Sequence, residues 1–149
     1  VTFGVMPLLS GNRLGTVPVQ NATLAGGVSI GATANLAMGP GCAVLIGCLA
    51  GVLSCWGFCM PIIPSKYDTC GINNLHGMPG ILGGLLSVVL PLCVSNTGVN
   101  PVMQLVGLVG TLIVAGSTGA LTGMLLRVLG SPESAYTDEQ YWDTADDRP

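Results

Sequence analysis

Long apolar stretches, separated by short runs of turn-forming residues, occupy most of this 149-residue chain. A helix that crosses a bilayer needs about 20 mostly apolar residues, and four stretches reach that length. The pattern predicts spanning helices over residues 19–38, 41–60, 69–90 and 102–129, and residues 1–9 are interpreted as the end of a fifth. We therefore expect an all-α, polytopic transmembrane helix bundle over residues 1–130, the C-terminal part of a longer membrane protein, followed by a tail over 131–149.

Charged residues are scarce and unevenly placed. They make up 7% of the chain, against about 25% in an average soluble domain, which argues against a soluble fold of this size. Between Arg13 and Arg127 the only charges are those of Lys66 and Asp68. The net charge of −3 therefore arises in the tail, and the chain has no basic patch of the kind that binds nucleic acid.

The basic residues also predict an orientation in the lipid bilayer. Alternating spans place Arg13, Lys66 and Arg127 on one side of the membrane, and the loops on the other side carry no charge. Because basic residues favour the cytoplasmic side, the tail is expected to be cytoplasmic. Aromatic side chains lie among its acidic ones, and a role in binding a cytoplasmic partner stays open.

Each predicted span contains two glycines four residues apart. Small residues at this spacing allow helices to approach closely in lipid, so the pattern predicts a tightly packed bundle. The pairs are Gly27 and Gly31, Gly47 and Gly51, Gly80 and Gly84, and Gly119 and Gly123. The six cysteines sit mostly in apolar runs and form no CxxC pair, which favours packing over a disulfide framework or a metal site.

The third span carries the polar residues with the most chemistry. Asn73, Asn74 and His76 lie in its first turns, where lipid offers no hydrogen-bond partner. Pro79 removes a backbone donor, so a carbonyl near His76 is expected to lose its usual bond. His76 is the only histidine, and an ionisable residue within a span is a candidate functional residue. The alternative is a structural histidine bonded to a neighbouring helix.

Two other polar residues have structural interpretations. Asp68 stands just before the third apolar run, at a position suited to an N-cap. Asn21 begins a sequence, Asn-Ala-Thr, that matches a glycosylation acceptor. Because it falls at the cytoplasmic start of a span, we predict a role in packing or capping instead.

Three blocks of this sequence resemble the Rhesus (Rh) glycoprotein branch of the ammonium transporter family. They are QNATLAGGVSIGA over residues 20–32, DTCGINNLHGMPGILGGL over 68–85, and the last span followed by YTDEQYW. The second block is long and specific, and the order of the three blocks also fits the family. The resemblance covers nearly the whole chain.

The resemblance implies a plasma-membrane channel that is a homo- or hetero-trimer of Rh-type subunits, each with one narrow apolar pore. Ammonium would give up a proton and cross largely as ammonia past two hydrogen-bonded histidines. His76 falls on the second of these histidines and Gly77 follows it, while Asp68, Asn73 and Asn74 belong to the same motif without a direct substrate role. The first histidine and the outer-mouth residues belong to earlier helices that this chain lacks.

Two alternatives stay open at this stage. One is a non-conducting structural subunit of Rh type, which would have no need of an imidazole at position 76. The other is passage of a different neutral gas, such as carbon dioxide, through the same pore. An enzyme is not expected because the chain has no nucleophile–base pair and no carboxylate pair within the spans, and neither a cofactor nor a metal is expected.

Overall fold

A computed structural model describes most of the chain, and the described residues are helical, with no strand among them. These residues are 4, 5, 8, 16–64, 66–68, 70–94 and 98–130. The predicted tail over 131–149 and most of residues 1–9 therefore lie outside the described residues. The chain divides into two compact units, Val1–Gly110 and Thr111–Pro149.

The first helix, α1 (Thr16–Gly31), is shorter than the sequence predicts. It has 16 residues, which at 1.5 Å per residue gives a length of about 24 Å, less than the ~30 Å hydrocarbon core of a bilayer. Turns replace the predicted helix after Gly31, because the Thr33 N–H bonds to the Ile30 carbonyl three residues back, at 3.0 Å. The predicted continuation to residue 38 is therefore wrong.

The second helix, α2 (Pro40–Cys59), occupies nearly the predicted residues. Pro40 stands at its first position, where the missing N–H costs no helical bond. The Met60 N–H closes the last turn on the Trp56 carbonyl at 2.8 Å, and Pro61 follows. A proline thus stands at the first position of α2, and another follows its end.

The third span is made of two pieces with different hydrogen-bond registers. A π-turn (Asn73–Gly77) leads directly into helix α3 (Met78–Cys93). The expectation that the span ends before Pro91 is wrong, because Pro91 lies inside α3. A proline this close to the C-terminus removes a single backbone bond, and the Val94 N–H still bonds to the Leu90 carbonyl at 2.8 Å.

The longest helix, α4 (Pro101–Val128), begins in the first unit and ends in the second. It is one of three helices in the described part of the chain that are long and apolar enough to cross a membrane, together with α2 and the π-turn–α3 pair. None of its 28 residues is buried. At its start, Asn100 Oδ1 accepts the N–H groups of Val102 and Met103, at 2.9 and 3.4 Å.

Within the first unit, α1 lies at the centre and contacts α2, the π-turn and α3. Close approaches occur at glycines, but mostly not at the predicted pairs. A Cβ on Gly26 would lie 3.6 Å from the Gly47 Cα, and one on Gly83 would lie 2.9 Å from the Ser29 Cα. A Cβ on Gly27 would meet no described atom within 4 Å.

Within the described residues, several glycines of the four spaced pairs have no close neighbour. In addition to Gly27, the same open space surrounds Gly31, Gly119 and Gly123. In the third span the prediction holds, since a Cβ on Gly84 would meet Leu108 of α4 at 2.5 Å and one on Gly80 would meet Val28 at 3.9 Å. Spacing alone did not identify which glycines lie at helix crossings.

Candidate functional site

Asp68 caps the segment that carries the only histidine. Its Oδ1 accepts the Ile72 N–H at 2.6 Å and its Oδ2 accepts the Asn73 N–H at 2.9 Å. Both oxygens of one carboxylate thus satisfy backbone donors that have no partner earlier in the helix. The predicted capping role is confirmed, and the carboxylate fixes where the π-turn begins.

Gly71 forms the turn between Asp68 and the π-turn. Its φ of +66° lies in the left-handed region, which glycine enters without a steric cost. Its N–H bonds to the Asp68 carbonyl at 3.2 Å, and its own carbonyl accepts the Leu75 N–H at 3.0 Å. A Cβ here would meet Asn74 Oδ1 at 2.5 Å, so the Asn74 side chain folds over the glycine.

Two buried amides lie on that same side of Gly71. Asn21 of α1 is 6% exposed and Asn74 is 5% exposed. The Asn21 Nδ2 lies 3.6 Å from the position that a Gly71 Cβ would take. Neither Nδ2 finds a hydrogen-bond partner among the described residues. The predicted packing role of Asn21 is confirmed by its burial, and its amide lies close to the turn at Gly71.

The backbone between Asn73 and Pro79 leaves the α-helical register. The Met78 N–H bonds to the Asn73 carbonyl, five residues back, rather than to the Asn74 carbonyl, four back. Pro79 follows and has no N–H to donate. The π-turn and the proline together confirm the expectation that the helical bonding is broken beside His76.

A hydrogen bond between helices holds the far side of this break. The Ser29 hydroxyl of α1 donates to the Pro79 carbonyl at 2.7 Å, in a buried position. One turn further along α3, the backbone of Gly83 rests directly on the Ser29 backbone. Ser29 is fully buried. The helix that follows His76 thus contacts α1 at two positions, by a hydrogen bond from the Ser29 side chain and by a backbone contact at Gly83.

A cavity of about 630 Å³ adjoins the capped turn. Three of the candidate residues, Asp68, Asn73 and Asn74, line it together with Gly71 and Leu75. Further lining comes from the start of α1, which includes Asn21, from the end of α2, which includes Phe58, and from the loop that follows α2. The cavity therefore combines a carboxylate and several amides with apolar walls.

His76 and Gly77, the other two candidate residues, are not among the cavity's lining residues. The His76 side chain is exposed on the described surface. Gly77 is enclosed by Asn73, because a Cβ on it would lie 2.8 Å from Asn73 Oδ1. The structure thus brings Asp68, Asn73 and Asn74 together around the cavity and places His76 on the adjoining turn.

Comparison with known proteins resolves what kind of protein carries this arrangement. A model of the ammonium transporter family matches residues 1–145. This chain belongs to the ammonium transporter family. The family assignment made from the three sequence blocks is confirmed, and the chain is a multi-pass membrane protein of this family.

Individual relatives within the ammonium transporter family carry Rh names. The chain is 41% identical to ammonium transporter Rh type B of Sus scrofa, over 98% of this chain and 38% of that protein. It is 37% identical to ammonium transporter Rh type A of Bos taurus, over 91% of this chain and 34% of that protein. The chain thus spans well under half the length of these relatives. No solved structure matches it.

Three residues that shape this site were not identified from the sequence: Ser29, Gly71 and Gly83. Ser29 lies in the first predicted span and was assigned no role from the sequence, and Gly71 and Gly83 fall outside the spaced glycine pairs. A signal for Gly71 was available, because a glycine in a short loop is the residue best suited to a tight turn with positive φ. The contact between Ser29 and Gly83 joins residues 54 positions apart and has no local signal.

Proposed function

We propose that this chain is part of an Rh-type channel that carries ammonium across the membrane as ammonia, with His76 in the pore. The observation that supports this most directly is the capped and broken turn that carries the only histidine, in a chain of the ammonium transporter family. The full channel would be a homo- or hetero-trimer in the plasma membrane, with the C-terminus in the cytoplasm.

The chemistry of the permeant explains why a histidine is suited to this place. Moving an ammonium ion out of water into an apolar pore is costly, whereas neutral ammonia loses only hydrogen bonds. A neutral imidazole both donates and accepts a hydrogen bond, so it replaces part of what ammonia leaves behind in water. It attracts metal cations far less than a ring of carboxylates would, which favours ammonia.

The partner that His76 requires is a second histidine on another helix of the longer protein. A pair of imidazoles would provide a line of hydrogen-bonding groups along an otherwise apolar path. The supporting features in this chain are the Asp68 cap and the Ser29 bond, which hold the two ends of the His76 segment in place.

The test is ammonia flux through the full-length protein that contains these residues. Reconstituted in liposomes, the native protein is expected to raise the internal pH after an ammonium chloride pulse faster than bare lipid does. The variant His76→Ala is expected to slow that rise, because the permeant loses a hydrogen-bonding partner. Val44→Ala, at an exposed position of α2 that is 65% accessible, serves as the matched control.

Two results would count against the proposal. If the native protein passes ammonia no faster than bare lipid, the channel function is rejected and a non-conducting structural subunit remains. If native protein and His76→Ala conduct equally, His76 has no part in permeation. Substituting a carbon dioxide pulse in the same liposomes reports whether a second neutral gas uses the pore.

A further inference from the structure

The carbonyl of Asn74 is left without a backbone donor by two independent features. In an α-helix it would accept the Met78 N–H, but that N–H bonds to the Asn73 carbonyl instead. In the π register it would accept from the residue five positions on, which is Pro79 and has no N–H. Both helical routes to satisfy this oxygen are therefore closed.

The Asn74 carbonyl belongs to a residue at the cavity wall. The residue lines the cavity of about 630 Å³ and lies two residues before His76. Irregular backbone at membrane depth is tolerated where it lines a cavity, because buried polar groups must find partners there. In membrane transporters, carbonyls freed at unwound helices recurrently coordinate small cations such as Na⁺.

We propose that the Asn74 carbonyl is a hydrogen-bond acceptor for the N–H groups of ammonia or ammonium in the cavity beside His76. This inference rests on the proposed function and extends it to a second contact on the same segment. An acceptor recognises a permeant that carries N–H groups and gives nothing to carbon dioxide, which has no hydrogen. The site thus adds a chemical preference to the path.

Pro79 is the residue that makes the test possible, since Pro79→Ala restores an N–H. If the π register persists, the new donor bonds to the Asn74 carbonyl directly. If the segment relaxes to an α-helix, the donor bonds to Leu75 and the Met78 N–H returns to Asn74. In either case the acceptor is consumed by the backbone, and the Pro79 carbonyl that binds Ser29 is kept.

The experiment compares ammonium chloride and carbon dioxide pulses on liposomes that contain the full-length protein. Pro79→Ala is expected to reduce the protein-dependent ammonia flux about fivefold, the effect of one net hydrogen bond, and to leave carbon dioxide entry unchanged. Pro91→Ala, which restores a donor near the other end of α3, is the matched control and is expected to conduct like the native protein.

The outcomes separate this inference from the proposed function. A native protein no faster than bare lipid rejects the function itself. A conducting native protein whose Pro79→Ala variant passes ammonia equally well rejects the Asn74 acceptor alone. A Pro79→Ala variant that slows both gases equally, or a Pro91→Ala variant as slow as Pro79→Ala, also rejects it, because a distorted helix would then be the cause.

A measurement on the native protein keeps the inference testable even if Pro79→Ala does not fold. Labelling asparagine carbonyls with ¹³C and leucine nitrogens with ¹⁵N selects Asn–Leu peptide bonds, which in this chain occur at Asn35–Leu36 and Asn74–Leu75. The Asn74 signal is the one that disappears in Leu75→Met. It is expected to shift when ammonium chloride is added to the reconstituted protein, and an unmoved signal overturns the proposal.

Discussion

Helices α1 and α4 differ in how many of their side chains are buried, and the more polar helix buries more of them. The shorter helix, α1, has 16 residues, contains asparagine, serine and threonine, and buries five of its side chains. The longer helix, α4, has 28 mostly apolar residues and buries none. Within the described part of this chain, the more polar helix is the one enclosed by protein.

The difference follows from the solvent in which these helices lie. Lipid tails are as apolar as leucine, so burying a leucine against protein gains little, whereas close backbone contact and hydrogen bonds between helices do stabilise. Small and polar residues of α1, such as Ala25 and Ser29, therefore face its neighbours. The large side chains of α4 are suited to contact with lipid or with further helices.

Among the substitutions that test this comparison, Gly83→Ala is expected to have the largest effect on stability. The added methyl would lie 2.9 Å from the Ser29 Cα. Unlike the end of a flexible side chain, the backbone of a packed helix cannot easily shift to make room for it. We expect a loss of about 3 kcal/mol in the free energy of unfolding, at the upper end of overpacking costs. Thermal unfolding of the full-length protein in detergent measures it.

The matched control for that change is Gly123→Ala in α4, where a Cβ would meet no described atom within 4 Å. It is expected to leave stability unchanged or to raise it by up to about 1 kcal/mol through helix propensity. Equal losses of stability in the two variants would show that Gly83 is not more tightly packed than Gly123.

Truncating an apolar side chain should separate buried from exposed helices directly. Ile46 of α2 is 3% exposed, and Ile46→Ala is expected to cost about 2 kcal/mol through the cavity it leaves. Leu112 of α4 is 49% exposed, and Leu112→Ala is expected to cost close to nothing in a lipid environment. If Leu112→Ala unfolds as easily as Ile46→Ala, other parts of the protein cover α4.

The N-terminal caps of two helices offer a third comparison. Asp68→Ala removes a carboxylate that accepts two backbone N–H groups and is expected to cost about 1 kcal/mol. Asn100→Ala removes one neutral oxygen from the start of α4 and is expected to cost less. Hydrogen exchange of the Ile72 and Val102 amides reports each cap, and a larger increase in exchange at Val102 in Asn100→Ala than at Ile72 in Asp68→Ala would reverse the ranking.

The smallest expected effect concerns the hydroxyl that joins α1 to α3. Ser29→Ala loses the buried bond to the Pro79 carbonyl and is expected to cost about 0.6 kcal/mol, the average for such bonds between membrane helices. Ser117→Ala in α4 is the control, since its hydroxyl bonds only within its own helix, to the Val114 carbonyl. Indistinguishable unfolding curves for the two variants would mean that the Ser29 bond contributes no net stability.

Local signals in the sequence were enough to predict much of the site. Prolines at 40 and 61 bracket α2, Asp68 stands where a cap belongs, and Pro79 indicates a broken helix, because each acts on backbone groups within five residues. Helix α1 ends early and α3 continues past Pro91. Each outcome depends on whether the fold tolerates the loss of a particular backbone hydrogen bond, and composition does not determine that. The contact of Ser29 with Gly83 depends on how two helices cross.

The register of the turn that carries His76 has a consequence for how this segment tolerates changes in length. A π-turn holds one residue more than an α-helical turn over the same rise. Deleting one codon between Asn73 and Gly77 would let the turn become α-helical without shortening the span by a full turn. Because the π-turn already accommodates that extra residue, Asp68 and the cavity would keep nearly the same direction relative to α3. The same deletion in the α-helical part of α3 would instead rotate the residues before it by about 100°.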